Sequence, residues 1–281
     1  MTACRPSRGP RGVTLVELVV VITLVGVVAS LSATLVSRVA ASQQDTRGRL
    51  VLAQSADGAV ARIADELQAA LPNSLRLVAS TNSFWLEWAP VLDAGRYRAA
   101  SDSLLATGDP LDLDNPADTS FDVIGEPVTT VPAGAQLVIQ NLGTPDADAY
   151  AGGNRRAGLV VTSGGRSVQF TAAGALPQVT DTRRFFVTGT PVTLACVADG
   201  AGGYELARYS GYGWQATQPS GAAHAAWSGA TRVTVLTGLS GCGASYSTAL
   251  ANIGMVTLRL SLGSGSAKAD FLQQVTVDNS P

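Results

Sequence analysis

The chain has 281 residues, 19 basic and 21 acidic side chains and a net charge of −2. Only 14% of the residues are charged and Lys268 is the single lysine, which excludes a charge-solvated disordered chain and leaves no basic cluster for nucleic-acid phosphates. One histidine, His224, excludes a histidine-rich metal centre, and three cysteines make no zinc framework.

The first element is an apolar helix. Arg5, Arg8 and Arg11 precede residues 13–36, and Leu18–Val36 carries no charge. At about 1.5 Å per residue this stretch reaches across a bilayer core. The basic residues keep the N-terminus cytoplasmic and send the chain beyond Val36 to the other side. Three readings compete. A secretory signal peptide would be cut near Ala29-Ser30-Leu31-Ser32-Ala33. A plain signal anchor would stay in place. Neither accounts for Glu17, a carboxylate in an apolar helix, which is costly there unless it has a partner or snorkels to the interface.

The third reading rests on Gly12-Val13-Thr14-Leu15-Val16-Glu17-Leu18. This stretch resembles the processing site of type IV prepilins and type II secretion pseudopilins. The resemblance implies a leader at residues 1–12, a cut by prepilin peptidase between Gly12 and Val13, and N-methylation of Val13. It also implies that Glu17 stays in the membrane as an assembly residue. Val13 departs from the family pattern, which usually has phenylalanine there. The physics agrees with that role. A free amine at Val13 and the helix dipole make this end positive. A carboxylate one turn in attracts the amine of a neighbouring subunit, more strongly in low dielectric. Gly26 is the one glycine in the segment, and no proline interrupts it. Many major pilins have a proline there, so its absence points to a minor subunit.

The helix is expected to continue through residues 37–71. Ala53, Ala56, Val60, Ile63, Leu67 and Ala70 recur at helical spacing. The narrow stripe suits packing on a sheet, and Pro72-Asn73 ends it. Helix from Val13 to Leu71 would span about 90 Å.

Residues 72–281 read as β structure. Runs are expected at 75–79, 84–88, 96–99, 136–140, 159–162, 167–171, 185–188, 191–196, 204–209, 232–236, 255–262 and 271–277. Ser163-Gly164-Gly165-Arg166 and Gly189-Thr190 are expected to turn two hairpins. Val256, Leu258, Leu260 and Leu262 alternate with polar residues, as in a half-buried strand. Tyr204, Tyr209, Tyr212 and Trp214 read as hairpin core rather than as a binding platform. The fold class is α+β: a long N-terminal helix packed on a mainly antiparallel, pilin-like β domain.

Four downstream stretches narrow the resemblance: Ala70-Leu71-Pro72-Asn73-Ser74, Gly95-Arg96-Tyr97-Arg98-Ala99, Asp118-Thr119-Ser120-Phe121-Asp122-Val123 and Gln274-Val275-Thr276-Val277-Asp278-Asn279-Ser280-Pro281. They are similar to MshO-type minor pilins of the mannose-sensitive haemagglutinin (MSHA) pilus. The resemblance implies a single-pass inner-membrane protein with a periplasmic domain, which can enter the pilus. It would help to start, assemble or cap the filament, with other pilins, prepilin peptidase, an assembly ATPase and an inner-membrane platform as partners. The alternatives are a minor pseudopilin of a type II secretion system and a tip adhesin whose β domain binds a ligand.

Cys4 lies in the leader. Cys196 and Cys242 remain, an even pair suited to a disulfide in an oxidising compartment, with two buried thiols as the alternative. Losing the leader's arginines takes the net charge from −2 to −5. Asp109, Asp112 and Asp114, near Asn115, Asp118 and Asp122, are weak Ca²⁺ candidates. Their spacing is not that of an EF-hand, and no other cofactor is expected. No catalytic constellation stands out: Gly238-Leu239-Ser240-Gly241-Cys242 misses the nucleophile elbow at its last position. An enzyme is not expected.

Overall fold

A computed structural model describes residues 12–99, 108–177, 182–250, 252–264 and 267–280. Arg5, Arg8, Arg11 and Cys4 lie outside the described residues. Two compact units result, Met1–Val51 and Leu52–Pro281, and the helix α1 (Leu15–Gln68) runs through both.

In the first unit no described side chain of α1 is buried. Its large apolar side chains stand open, from Val19 at 45% to Leu15 at 79% exposure. By length and composition α1 is able to cross a membrane. Its hydroxyls are turned inward to the backbone. Thr23 donates to the Val19 and Val20 carbonyls, Ser30 to Val27, Ser32 to Val28 and Thr34 to Leu31. In hydrocarbon an unpaired hydroxyl is costly, and these bonds remove that cost.

In the second unit the last turns of α1 meet the strands. β1 (Arg76–Ala79) and β2 (Phe84–Trp88) come first. After them come β3 (Val91–Tyr97), β4 (Ser120–Ile124), β5 (Gln136–Ile139), β6 (Arg155–Arg156), β7 (Val160–Thr162), β8 (Ser167–Gln169) and β9 (Arg184–Thr188). The last are β10 (Val192–Ala198), β11 (Tyr204–Ser210), β12 (Thr231–Leu250), β13 (Ile253–Ser264) and β14 (Ala267–Asp278). They form two antiparallel sheets, ordered β1-β2-β10-β11-β12-β13-β14 and β6-β5-β9-β3-β4-β8-β7. The second sheet is thus an insertion between two neighbouring strands of the first.

The helical stripe read from the sequence is the one that is buried. Ala56, Val60, Ile63, Leu67 and Ala70 pack on Phe84, Leu86, Trp88, Leu194, Cys196, Leu258 and Leu260 of the first sheet. β10 is buried on both faces. Val192, Leu194 and Cys196 face α1, while Ala195 and Val197 meet Tyr209, Tyr212 and Trp227 on the other side. The second sheet has its own core around Phe121, Leu137, Phe170 and Phe185. Leu71, Ala89, Val138, Ala149 and Phe186 form a smaller cluster of their own.

Three expectations are corrected. Gly189-Thr190 turns no hairpin: β9 belongs to the second sheet and β10 to the first, so the chain crosses between sheets there. β3 starts at Val91 rather than at residue 96, because its first residues pair with β9. The run at 232–236 is the start of the long β12. β12 pairs with β11 over its first half, then bulges near Gly238 (φ +76°) and continues along β13. A glycine at positive φ permits that extra residue without strain. The Ser163–Arg166 hairpin forms as expected, with Thr162 opposite Ser167.

Candidate functional site

The start of α1 is built by Thr14. Its Oγ1 accepts the Glu17 amide N–H at 3.3 Å, and its carbonyl accepts the Leu18 N–H at 3.1 Å. Thr14 is therefore the N-cap and Glu17 the third helical residue, the spacing of a capping box. This places the Glu17 carboxylate in the positive first turn of the helix. Val13 precedes the cap and is 68% exposed. A Cβ added at Gly12 or Gly26 would touch nothing within 4 Å.

The four downstream stretches fall into two contacting pairs. The helix stops at Gln68, short of the expected Leu71, and Asn73 lies in the turn that follows at φ +58°, a conformation asparagine tolerates better than most residues. Its amide N–H donates to Asn279 Oδ1 (3.2 Å), and its Nδ2 donates to the carbonyls of Asn279 (3.1 Å) and Asn141 (2.9 Å). Asn141 Nδ2 donates in turn to the Pro72 carbonyl at 2.6 Å, and Asn141 Oδ1 accepts the Ala149 N–H at 2.8 Å. Asn279 Nδ2 donates to the Tyr246 hydroxyl at 3.1 Å. Residues 95–99 and 118–123 form the other pair. Tyr97 stands opposite Val123, the Arg98 N–H donates to the Asp122 carbonyl at 2.8 Å, and the Tyr97 and Phe121 rings meet edge-on. Gly95 lies under the Phe185 ring, where a Cβ would come within 2.6 Å.

A buried ionic group joins these elements. Glu87 of β2 is fully buried. It accepts from Arg76 Nε at 2.9 Å and from the Tyr212 hydroxyl at 2.8 Å, and it also pairs with Arg76 Nη2. Arg76 lies 3.4 Å over the Tyr150 ring, which meets Trp214 edge-on. Burial raises the Glu87 carboxyl above its ordinary value, against the pull of Arg76 and Tyr212. Burial and the Glu87 charge also raise the Tyr212 hydroxyl. Tyr212 is thus a buried strut rather than a free aromatic surface. The sequence signal for Glu87 was its place in Phe84-Trp85-Leu86-Glu87-Trp88, a strand with no polar face.

Cys196 and Cys242 are bonded to each other, tying β10 to β12 across β11. The acidic loop does not converge. Asp122 Oδ2 accepts the Asp109 N–H, Asp118 Oδ2 the Asp112 N–H, and Asp112 Oδ1 the Asp114 N–H. Its carboxylates close turns. Among the described residues no group of three or more His, Cys, Asp or Glu side chains gathers as a metal site. His224 accepts the Ala226 N–H at 3.2 Å and starts the short 3-10 turn Ala225–Gly229.

Residues 7–33 match a family profile described as the prokaryotic N-terminal methylation motif. No curated protein and no solved structure matches the chain. The matched residues hold Gly12, Val13, the Thr14 cap, Glu17 and the first half of the open apolar helix. The chain therefore carries the prepilin-type methylation motif of type IV pilins and pseudopilins, on a helix fit to anchor it in a membrane.

Proposed function

We propose that the chain is a minor pilin-type subunit that helps to start, assemble or cap an MSHA-type type IV pilus. Prepilin peptidase cuts between Gly12 and Val13, and Val13 is methylated. Residues 13–36 hold the subunit in the inner membrane, with residues 72–281 in the periplasm. Other pilins and the assembly platform are its partners. It needs no catalytic group and no cofactor.

One observation carries this reading: the methylation motif ends in a capped helix whose only charge before Arg38 is Glu17. Thr14 holds the first turn helical after the leader is gone. Glu17 is then free to pair with the methylated amine of a neighbouring subunit. The link to the MSHA system rests on the four downstream stretches, which are framework contacts here rather than a ligand site.

The test is the mass of the N-terminal peptide from cells with and without prepilin peptidase. A peptide starting at Val13 with one added methyl group, lost without the peptidase, is the expected result. An N-terminus at Met1 or near Ala33 would overturn the reading.

A further inference from the structure

The four sheet edges are unequal. β1, β6 and β7 hold four, two and three residues. β14 holds twelve and, among the described residues, has only β13 beside it. A long unpaired edge is a template for another strand, and proteins ordinarily shorten, charge or cover it. Here Phe271–Val277 carries neither charge nor proline. Leu272 is 63% exposed, and Ile253 and Met255 of β13 are exposed on the same face.

The charges lie toward the ends of β14. Lys268 and Asp270 stand at one end and Asp278 at the other, all exposed. Antiparallel pairing of two copies about Gln273 sets Lys268 against Asp278 twice, Asp270 against Thr276, and Leu272 against Gln274. No like charges oppose, and Phe271, Val275 and Val277 stay on the core side in both copies. Pairing about Gln274 would instead set Asp270 against Asp278. A shift by one residue would turn the core face of one copy to the solvent face of the other. Of these registers, only the one about Gln273 pairs opposite charges and keeps the core faces aligned.

We infer that β14 is a self-pairing edge. Two copies of this chain join their first sheets antiparallel about Gln273, with Lys268 of each paired to Asp278 of the second copy. This does not rest on the pilin-type reading.

The test uses the full chain in detergent, in a Cys4→Ser background. Gln273 faces its own copy, so Gln273→Cys should give a covalent dimer on mild oxidation, in higher yield than Ser247→Cys on the exposed face of β12. Lys268→Glu and Asp278→Lys should each lower the yield about tenfold, since each sets two like-charged pairs opposite. Lys268→Asp combined with Asp278→Lys should restore it. An intact Cys196–Cys242 bond and unchanged tryptophan fluorescence show that the charge variants fold. A Gln273→Cys yield no higher than that of Ser247→Cys overturns the inference. So does a dimer indifferent to both charge reversals, which the membrane helix alone would hold.

Discussion

Asn73 and Asn279 lie 206 residues apart and share two hydrogen bonds. One residue lies in the turn between the helix and β1, and the other comes just after the last strand. Asn141 of the insertion completes the joint through the Asn73 side chain and the Pro72 carbonyl. The turn after the helix, the insertion and the end of the C-terminal strand are therefore fastened at one place.

Removing either asparagine leaves buried backbone groups unpaired, which costs about 1–3 kcal/mol. Asn73→Ala should cost more than Asn73→Gly, because only glycine keeps φ +58° without strain. Asn279→Ala should show coupling with Asn73→Ala in a double-mutant cycle. Urea unfolding followed by tryptophan fluorescence checks both, since all four tryptophans lie in the β domain. Additive losses would argue against a shared joint.

The Cys196–Cys242 bond closes a loop with a sequence separation of 46. Replacing both residues by serine should cost about 2–4 kcal/mol. The melting temperature should fall, and reduction should no longer lower it further. A double variant as stable as the oxidised protein would contradict this.

Glu87 gives a pH dependence of defined sign. Its folded-state pKa lies above the ordinary 4.5 because burial disfavours the charge. The folded state then binds the proton more tightly than the unfolded state. This contribution favours folding most at and below about pH 4.5 and declines as pH rises through the folded-state value. Wild type should therefore lose more stability between pH 4.5 and 7 than Glu87→Gln does. Paired unfolding curves at the two pH values read the difference directly.

Glu17→Ala should leave membrane insertion intact, since it makes the helix more apolar. If Glu17 pairs with a neighbour's amine, the loss should appear in the filament. Breaking a buried pair costs about 3–5 kcal/mol, so the subunit recovered in sheared filaments should fall by more than ~100-fold. Equal recovery from wild type and variant would rule out this role.

The helix was legible by its period, and most strands as short runs set between turn residues. The stripe Ala56 to Ala70 faces the core, and Phe84–Trp88 is a strand with the expected bounds. Asp118–Val123 was legible as a stretch but not as β4, because its strand state depends on pairing with distant β3 and β8. The sheet change at Gly189 leaves no local mark either. A Gly-Thr step between two apolar runs reads the same whether the runs pair or part. The asparagine joint was hidden for a similar reason. Asn73 announces a helix stop, but its partners lie 68 and 206 residues away.

The insertion leaves and returns at one point: the Gly189 N–H donates to the Pro90 carbonyl at 3.0 Å, and Val91 stands opposite Thr188. Trp88 and Val192 on either side of it are already paired partners in the first sheet. Residues 91–189 thus hang from β2 and β10 as a very long hairpin loop. If they were excised, Ala89, Pro90, Thr190 and Pro191 would remain as an ordinary turn. Such a layout lets the second sheet lengthen, shrink or change its outer surface over evolutionary time. The strand order that seats the helix would stay untouched.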